Sequence, residues 1–281
     1  MSVLYCGNYR IDCDRPVIMA IINITPDSFS GDGLSGTTID DVLRKADAAI
    51  ADGASILDVG GESTRPGAAT VSVDEEISRV VPIVRALCRF DVPVSVDTTK
   101  APVMMAAIEA GASMINDINA FRGAGAIDAV AGANVGVCVM HMQGEPGTMQ
   151  SAPSYVSVVD EVELFLAERV NALVAAGISR QRVCVDPGFG FGKRIEHNLA
   201  LLRRLDTFVE GGLPVLVGMS RKSMIGEITG KPVADRMVGS AVAAVMAVEL
   251  GARIVRVHDV SATHDALRIW ESVTEAPPAH A

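Results

Sequence analysis

Eight runs of apolar, largely β-branched residues recur along this chain, and each ends on a polar residue or a glycine turn. They are VIMAIIN ending at Asn23, SILDVGG carrying Asp58, PVSVD ending at Asp97, SMIND with Asn116 and Asp117, VGVCVMH ending at His141, RVCVD ending at Asp186, PVLVGMS ending at Ser220 and RIVRVHD carrying His258. A parallel strand covered on both faces reads as a continuous Val/Ile/Leu run, and eight such strands alternating with helices predict an α/β fold, a single (β/α)8 TIM barrel. In that architecture the strand C-termini share one rim, where the loops converge and chemistry is carried out. The polar run-endings therefore mark the candidate site.

Between the runs, helical patterns predict helices near 38–52, 74–90, 101–111, 124–133, 156–177, 196–206, 221–250 with a break, and 261–274. Pro102 stands where a first-turn proline is expected and Ser261 where an N-cap is expected. Residues 3–13 predict a short β-hairpin closing the barrel floor, with Asn8 near its turn. The barrel is expected over roughly 14–274, within one domain spanning 1–281, and the tail 275–281 is expected to fray. Two rim loops are long and polar, Thr25 to Thr37 and Ser63 to Ser72; loops of that length in a compact domain are usually functional.

Composition agrees. At 281 residues the chain suits one α/β barrel, and 49% hydrophobic residues with only 4% aromatic describe a core of Ala, Val, Ile, Leu and Met. The N-terminus shows no signal-peptide pattern and no run approaches the ~20 apolar residues needed to cross a bilayer, so the expected location is cytoplasmic. The cysteines Cys6, Cys13, Cys88, Cys138 and Cys184 are odd in number and without metal-site spacing; they read as reduced packing residues. A net charge of −10 excludes a general nucleic-acid or anionic-membrane surface, so an anionic ligand must be met locally.

The rim offers two kinds of chemistry. Asp97, Asn116 and Asp186 follow three different strands, with few cationic neighbours in sequence, and together suit a flat heterocycle that presents N–H donors in pairs, such as an aminopyrimidinone ring. For one strand-end Asp the plainer reading is a helix cap, and Asp97 before Thr98, Thr99 and Lys100 is placed for that; convergence of three favours a ligand. The other half is cationic and hydroxylic. Ser220 to Ser223 opens a helix with two hydroxyls and Lys222, Arg256 and His258 alternate along the last strand, and Ser63 to Gly67 adds a third donor group. That half suits a phosphate or carboxylate, whereas His141 and His264 read as solvated surface charges. Gly188 to Gly192 lacks nucleotide-loop spacing and reads as a tight turn. The small-residue stretch Gly239 to Ala247 reads equally as close packing on the barrel or as a dimer helix.

Together the stretches Asn23 to Ser30, Asp58 to Gly67, Ser95 to Thr98, Ile115 to Asp117, Asp186 to Lys193, Gly218 to Ser223 and Arg256 to Asp259 resemble the ordered motif set of the dihydropteroate synthase family, from about Val17 to His258. The resemblance implies a transferase of folate biosynthesis that condenses 6-hydroxymethyl-7,8-dihydropterin diphosphate with p-aminobenzoate, depends on Mg2+, is a sulfonamide target and forms a homodimer. It implies that Asp97, Asn116, Asp186 and Lys222 hold the pterin, and that Asn23, Thr64, Arg256 and His258 hold the diphosphate, with Asn23 also at the metal. By the same resemblance Phe29, Arg65, Pro66 and Ser223 form the benzoate pocket, and Asp97, Lys222, Arg256 and His258 carry the catalysis. The chain departs from the family at Ser30-Gly-Asp-Gly33, so Asp32 is given no role. Two rivals share the barrel: folate-to-corrinoid methyltransferases, which have no need of the cationic half, and non-catalytic pterin-binding paralogues, which would have lost rim residues.

Overall fold

The structure, a computed structural model, describes residues 2–24, 38–63 and 70–274. The positions Phe29, Asp32, Thr64, Arg65 and Pro66, most of the two long loops and the tail 275–281 lie outside the described residues, as does the side chain of Asn23.

Eight parallel strands form the barrel: β3 (Val17–Asn23), β4 (Ile56–Gly60), β5 (Val94–Asp97), β6 (Met114–Asp117), β7 (Gly136–Met140), β8 (Val183–Asp186), β9 (Leu216–Val217) and β10 (Ile254–Val257). Every residue of β4, β6, β7 and β8 is buried, which is why these strands read as unbroken apolar runs. From β3 to β8 each strand pairs with the next in the chain, β9 pairs with β10, and β10 returns to β3. The remaining gap, between β8 and β9, is closed by a single parallel bridge from Val185 to Val215, with Val185 N–H donating to Pro214 O at 3.0 Å. The run PVLVGMS thus yields a strand of only two residues. Pro214 has no N–H to donate, and the chain leaves the ladder at Gly218 to form the Ser220 loop.

Helices α1 (Ile39–Ala51), α2 (Val73–Leu87), α3 (Ala101–Glu109), α4 (Ala126–Ala131), α5 (Val158–Ala175), α6 (Ile195–Arg203), α7 (Leu205–Glu210), α8 (Ser223–Thr229), α9 (Met237–Glu249) and α10 (Val260–Thr274) surround it. Thr38 and Asp41 form a capping box at α1, Ser72 caps α2, and Pro102 lies in the first turn of α3. The break expected within 221–250 separates α8 from α9. Ser261 is not the cap of α10: the helix already begins at Val260, and Thr263 N–H and its hydroxyl both bond Asp259 O.

The hairpin β1 (Val3–Cys6) and β2 (Tyr9–Asp12), turning at Gly7–Asn8, seals the barrel floor. Its Leu4, Cys6 and Ile11 join Cys13, Val17, Met19, Ile56, Met114, Cys138, Cys184, Leu216 and Ile254 in one apolar cluster. Gly136 allows this approach, since a Cβ there would run into Cys6 Sγ. Four of the five cysteines scattered in sequence therefore converge, whereas Cys88 is exposed and is no core packing residue. Cys6, Cys13, Cys138 and Cys184 share the floor, and burial pushes the Cys13 thiol up to about 12. The larger apolar cluster lies between barrel and helices.

Candidate active site

The sheet register sets the acceptors side by side. Asp97 pairs with Asn116 across β5 and β6, and Met140 with Asp186 across β7 and β8. Asp97 does not cap α3. Lys100 occupies that N-cap without a side-chain bond, while its ammonium binds Glu62 at 2.9 Å, Glu76 at 2.6 Å and Val71 O at 2.7 Å, clamping both ends of the second rim loop. Asp97 instead meets Arg256, whose Nη2 donates to Asp97 Oδ2 at 3.0 Å while Nε donates to Asp58 Oδ2 at 2.7 Å. Asp58 lies two residues deeper than the rim, level with Ser95, and is fully buried. The acceptors that lacked cationic neighbours in sequence thus have Arg256 among them in space.

Burial raises Asp97 to about 7 against the opposing pull of Arg256. Asp58 and Asp97 in turn hold Arg256 above its ordinary range although burial penalises its charge. Burial also raises Asp186, opposed by Lys222 and by Gly188 N–H, which donates to Asp186 Oδ1 at 2.7 Å. Among the described residues, Asn116 Oδ1 is buried with no hydrogen-bond partner, as are Ser95 Oγ and Asp58 Oδ1. An orphaned carboxamide oxygen between two carboxylates marks a place where a donor is expected to arrive.

Lys222 reaches the same mouth from the other side. Its ammonium donates to Phe189 O at 2.6 Å and lies 4.6 Å from the centroid of the Phe191 ring. Burial lowers it to about 8, Asp186 opposing. Within Ser220 to Ser223 the side chains part company. Arg221, at φ 58°, turns to Asp259, which accepts from its Nε at 2.9 Å and also from Nη2. Ser240 Oγ accepts from Arg221 N–H, and Arg236 donates to the Arg221 and Lys222 carbonyls, so the strained turn is held by α9. Ser223 is exposed in the first turn of α8. Ser220 Oγ accepts from His258 N–H at 3.1 Å and lies 3.1 Å from His258 Nδ1, an arrangement that fits a hydroxyl donating to Nδ1 and places the ring proton on Nε2. His258 lies just past the end of β10.

Two sequence expectations change. His141 is no surface charge: it is buried, edge-on to Phe165 at 4.9 Å between ring centroids, and burial together with Lys193 lowers it to about 3. His264 packs over Gly53. Other features went unassigned. Ile118, Met140, Met142 and Met149 form a small apolar cluster with Phe191 at the rim. The segment 141–157 is a third long loop, folded over Gly188 to Gly192 by Gln150, which donates to Gly190 O, and by Tyr155 Oη, which donates to Gly192 O at 2.8 Å. The only trace of these in the sequence was a pair of methionines flanking His141 and a lone lysine after three glycines.

A barrel whose rim joins paired acceptors, an apolar shelf and a cationic half defines a class of enzyme that takes a flat heterocycle with an anionic tail. A family model for pterin binding enzymes matches residues 19–258. The dihydropteroate synthase of Haemophilus influenzae is 47% identical over 274 residues, covering 97% of this chain and 99% of that one. Among solved structures, Yersinia pestis dihydropteroate synthase with a sulfonamide drug superposes with a TM-score of 0.93 at 46% identity, covering 98% of this chain and 100% of that one. The Burkholderia cenocepacia enzyme complexed with 7,8-dihydropteroate gives a TM-score of 0.89 at 51% identity, with 98% and 97% covered. The chain belongs to the dihydropteroate synthase family of pterin-binding enzymes.

Proposed function

We propose that this protein condenses 6-hydroxymethyl-7,8-dihydropterin diphosphate with p-aminobenzoate, releasing diphosphate and 7,8-dihydropteroate. The observation that carries the reading is the juxtaposition of Asp97, Asn116 and Asp186, with an unpartnered carboxamide oxygen, beside Lys222. Asp97, Asn116 and Asp186 accept the ring donors, Lys222 donates to the ring, and the shelf of Ile118, Met140 and Phe191 takes an apolar face.

The reaction begins as the exocyclic C–O bond breaks and its electron pair leaves with diphosphate. Arg256, His258, Asn23 and Thr64 receive that anion. The methylene cation left behind is conjugated with the ring, and the Asp97 carboxylate stabilises it. The aryl amine then attacks, the C–N bond forms, and the amine passes its proton to water. Ser223 and the start of α8 receive the benzoate carboxylate, with Phe29, Arg65 and Pro66 completing a pocket that a sulfonamide would share.

We assign Mg2+ to the diphosphate. Asn23 would help hold the ion against the diphosphate. When bound, the ion would supply positive charge to the leaving group. No described helix is long and apolar enough to cross a membrane, and we place the protein in the cytoplasm. Exposed Val238, Val242 and Met246 along α9 support a homodimer.

The test is incubation with the pterin diphosphate, p-aminobenzoate and Mg2+, following dihydropteroate by mass spectrometry. Product that requires Mg2+ and falls at least ~100-fold with Lys222→Ala is expected. Absence of product from folded protein that still binds a pterin would replace the synthase reading with the binding paralogue or the methyltransferase.

A further inference from the structure

Lys193 is 3% exposed; burial works against its charge and pushes its pKa well below the ordinary lysine range, with the charge of Asp186 opposing that shift. An ammonium has three N–H donors, and three short acceptors surround this one: His141 Nδ1 at 2.9 Å, Gly188 O at 2.9 Å and Phe191 O at 3.1 Å, with His141 O further off at 3.4 Å. Those acceptors come from the end of β7 and from both sides of the glycine turn after β8; the sheet ladder joins these strands as far as His141 N–H, which donates to Asp186 O at 3.0 Å, and the turn beyond Asp186 lies past it.

The glycine turn is where two of the charged groups of the pterin half, Asp186 and Lys222, take their positions. Asp186 Oδ1 accepts from Gly188 N–H at 2.7 Å, and Lys222 donates to Phe189 O and stands over Phe191. The turn lies so close to β7 that a Cβ at Gly188 would overlap the His141 carbonyl oxygen. Carbonyl dipoles brought this close repel unless a donor stands among them, and Lys193 is that donor.

We propose that Lys193 is a positioning residue for pterin binding: its ammonium pins the Gly188–Phe191 turn to His141 and so fixes Asp186 relative to Lys222. Lys193 acts through these groups and touches no substrate. The inference rests on the reading of Asp186 and Lys222 as pterin-holding groups.

The experiment measures Kd for 6-hydroxymethylpterin by calorimetry, and KM and kcat for both substrates, in wild type, Lys193→Met, His141→Leu, His141→Gln and Asp186→Asn, each checked for folding by circular dichroism. Lys193→Met is expected to raise the pterin Kd and KM by about 10-fold to 100-fold, the scale of misplacing a binding group by about an ångström, while KM for p-aminobenzoate stays put. General structural damage would instead lower the active fraction, and with it kcat, leaving KM unchanged. His141→Leu is expected to weaken pterin binding in the same direction, and His141→Gln, which restores an acceptor, to recover it. If Lys193→Met does not fold, the His141 pair decides. A folded Lys193→Met with wild-type pterin affinity, a loss confined to kcat, or equal behaviour of the two His141 variants would overturn the proposal. Should Asp186→Asn lose pterin while Lys193→Met keeps it, only this inference fails; should Asp186→Asn itself bind normally, the pterin reading fails with it.

Discussion

Arg256 grips Asp58 and Asp97 at once and opposes the burial that sets the charge state of the site. Burial lifts Asp97 to about 7 and lowers Lys222 to about 8, so both groups titrate near neutrality in the unliganded enzyme. The signs follow directly. As pH falls through about 7, Asp97 takes a proton and loses the charge that stabilises the methylene cation; as pH rises through about 8, Lys222 loses its charge toward the ring. We expect kcat/KM for the pterin diphosphate to be greatest between these values and to fall on both sides, by about tenfold per pH unit well outside them. Asp97→Asn should remove the acid limb along with activity, and Lys222→Met the alkaline limb. A profile flat from about pH 6 to about pH 9 would contradict this assignment. Asp97, Asn116 and Asp186 were legible in the sequence because each ends a strand. Asp58 was not, because a carboxylate inside an apolar run is explained only by its cation, and Arg256 stands 198 residues away. Lys193 was hidden for a different reason, since most of its acceptors are backbone carbonyls and no side-chain pattern announces them.

At the scale of elements, seven of the barrel strands stand within a residue or two of their apolar runs, because burial on both faces leaves the plainest signature a strand can have. The exception, β9, is cut short by Pro214. The third rim loop was missed because its fold depends on bonds to another loop. Gly188 is where two elements meet. Its φ of 73° alone would cost a side chain about 1–2 kcal/mol, and a Cβ would also overlap the carbonyl of His141, whose N–H is tied to Asp186 O at 3.0 Å. Gly177 serves as the control, with a φ of 89° and nothing within 4 Å of a Cβ. Gly188→Ala should therefore lose upward of ~2 kcal/mol and about 4–8 °C in Tm, together with pterin affinity. Gly177→Ala should lose only the conformational part and bind pterin normally. Thermal unfolding with pterin titration separates them, and equal losses in the two variants would remove the contact argument.

Across the whole molecule, stability and chemistry occupy opposite ends of one barrel. The hairpin and the buried thiols fill the floor, while the carboxylates, Lys222 and Arg256 crowd the rim. The outer surface carries a third feature, which the sequence left evenly divided between packing on the barrel and meeting a second chain. Helix α9 does the first with one face, burying Ser240, Ala241, Ala244, Ala247 and Val248. Its other face leaves Val238, Val242 and Met246 exposed at four-residue intervals, and α10, which packs against α9, leaves Ile269 and Val273 exposed. An amphipathic surface helix would carry charge there; a row of apolar side chains across two adjacent helices fits an interface between copies. The same helix holds the active-site turn, through Ser240 and the adjoining Arg236, so loss of the partner would be felt at Lys222 if α9 shifted. We expect the wild-type protein to sediment as a dimer at micromolar concentration and Val242→Asp to sediment as a folded monomer, because a twofold contact would set two carboxylates close together in an apolar seam. A monomer with undiminished pterin affinity would show that α9 holds Lys222 without its partner. A wild-type protein that sediments as a monomer would remove the dimer and leave the apolar row to a different occupant.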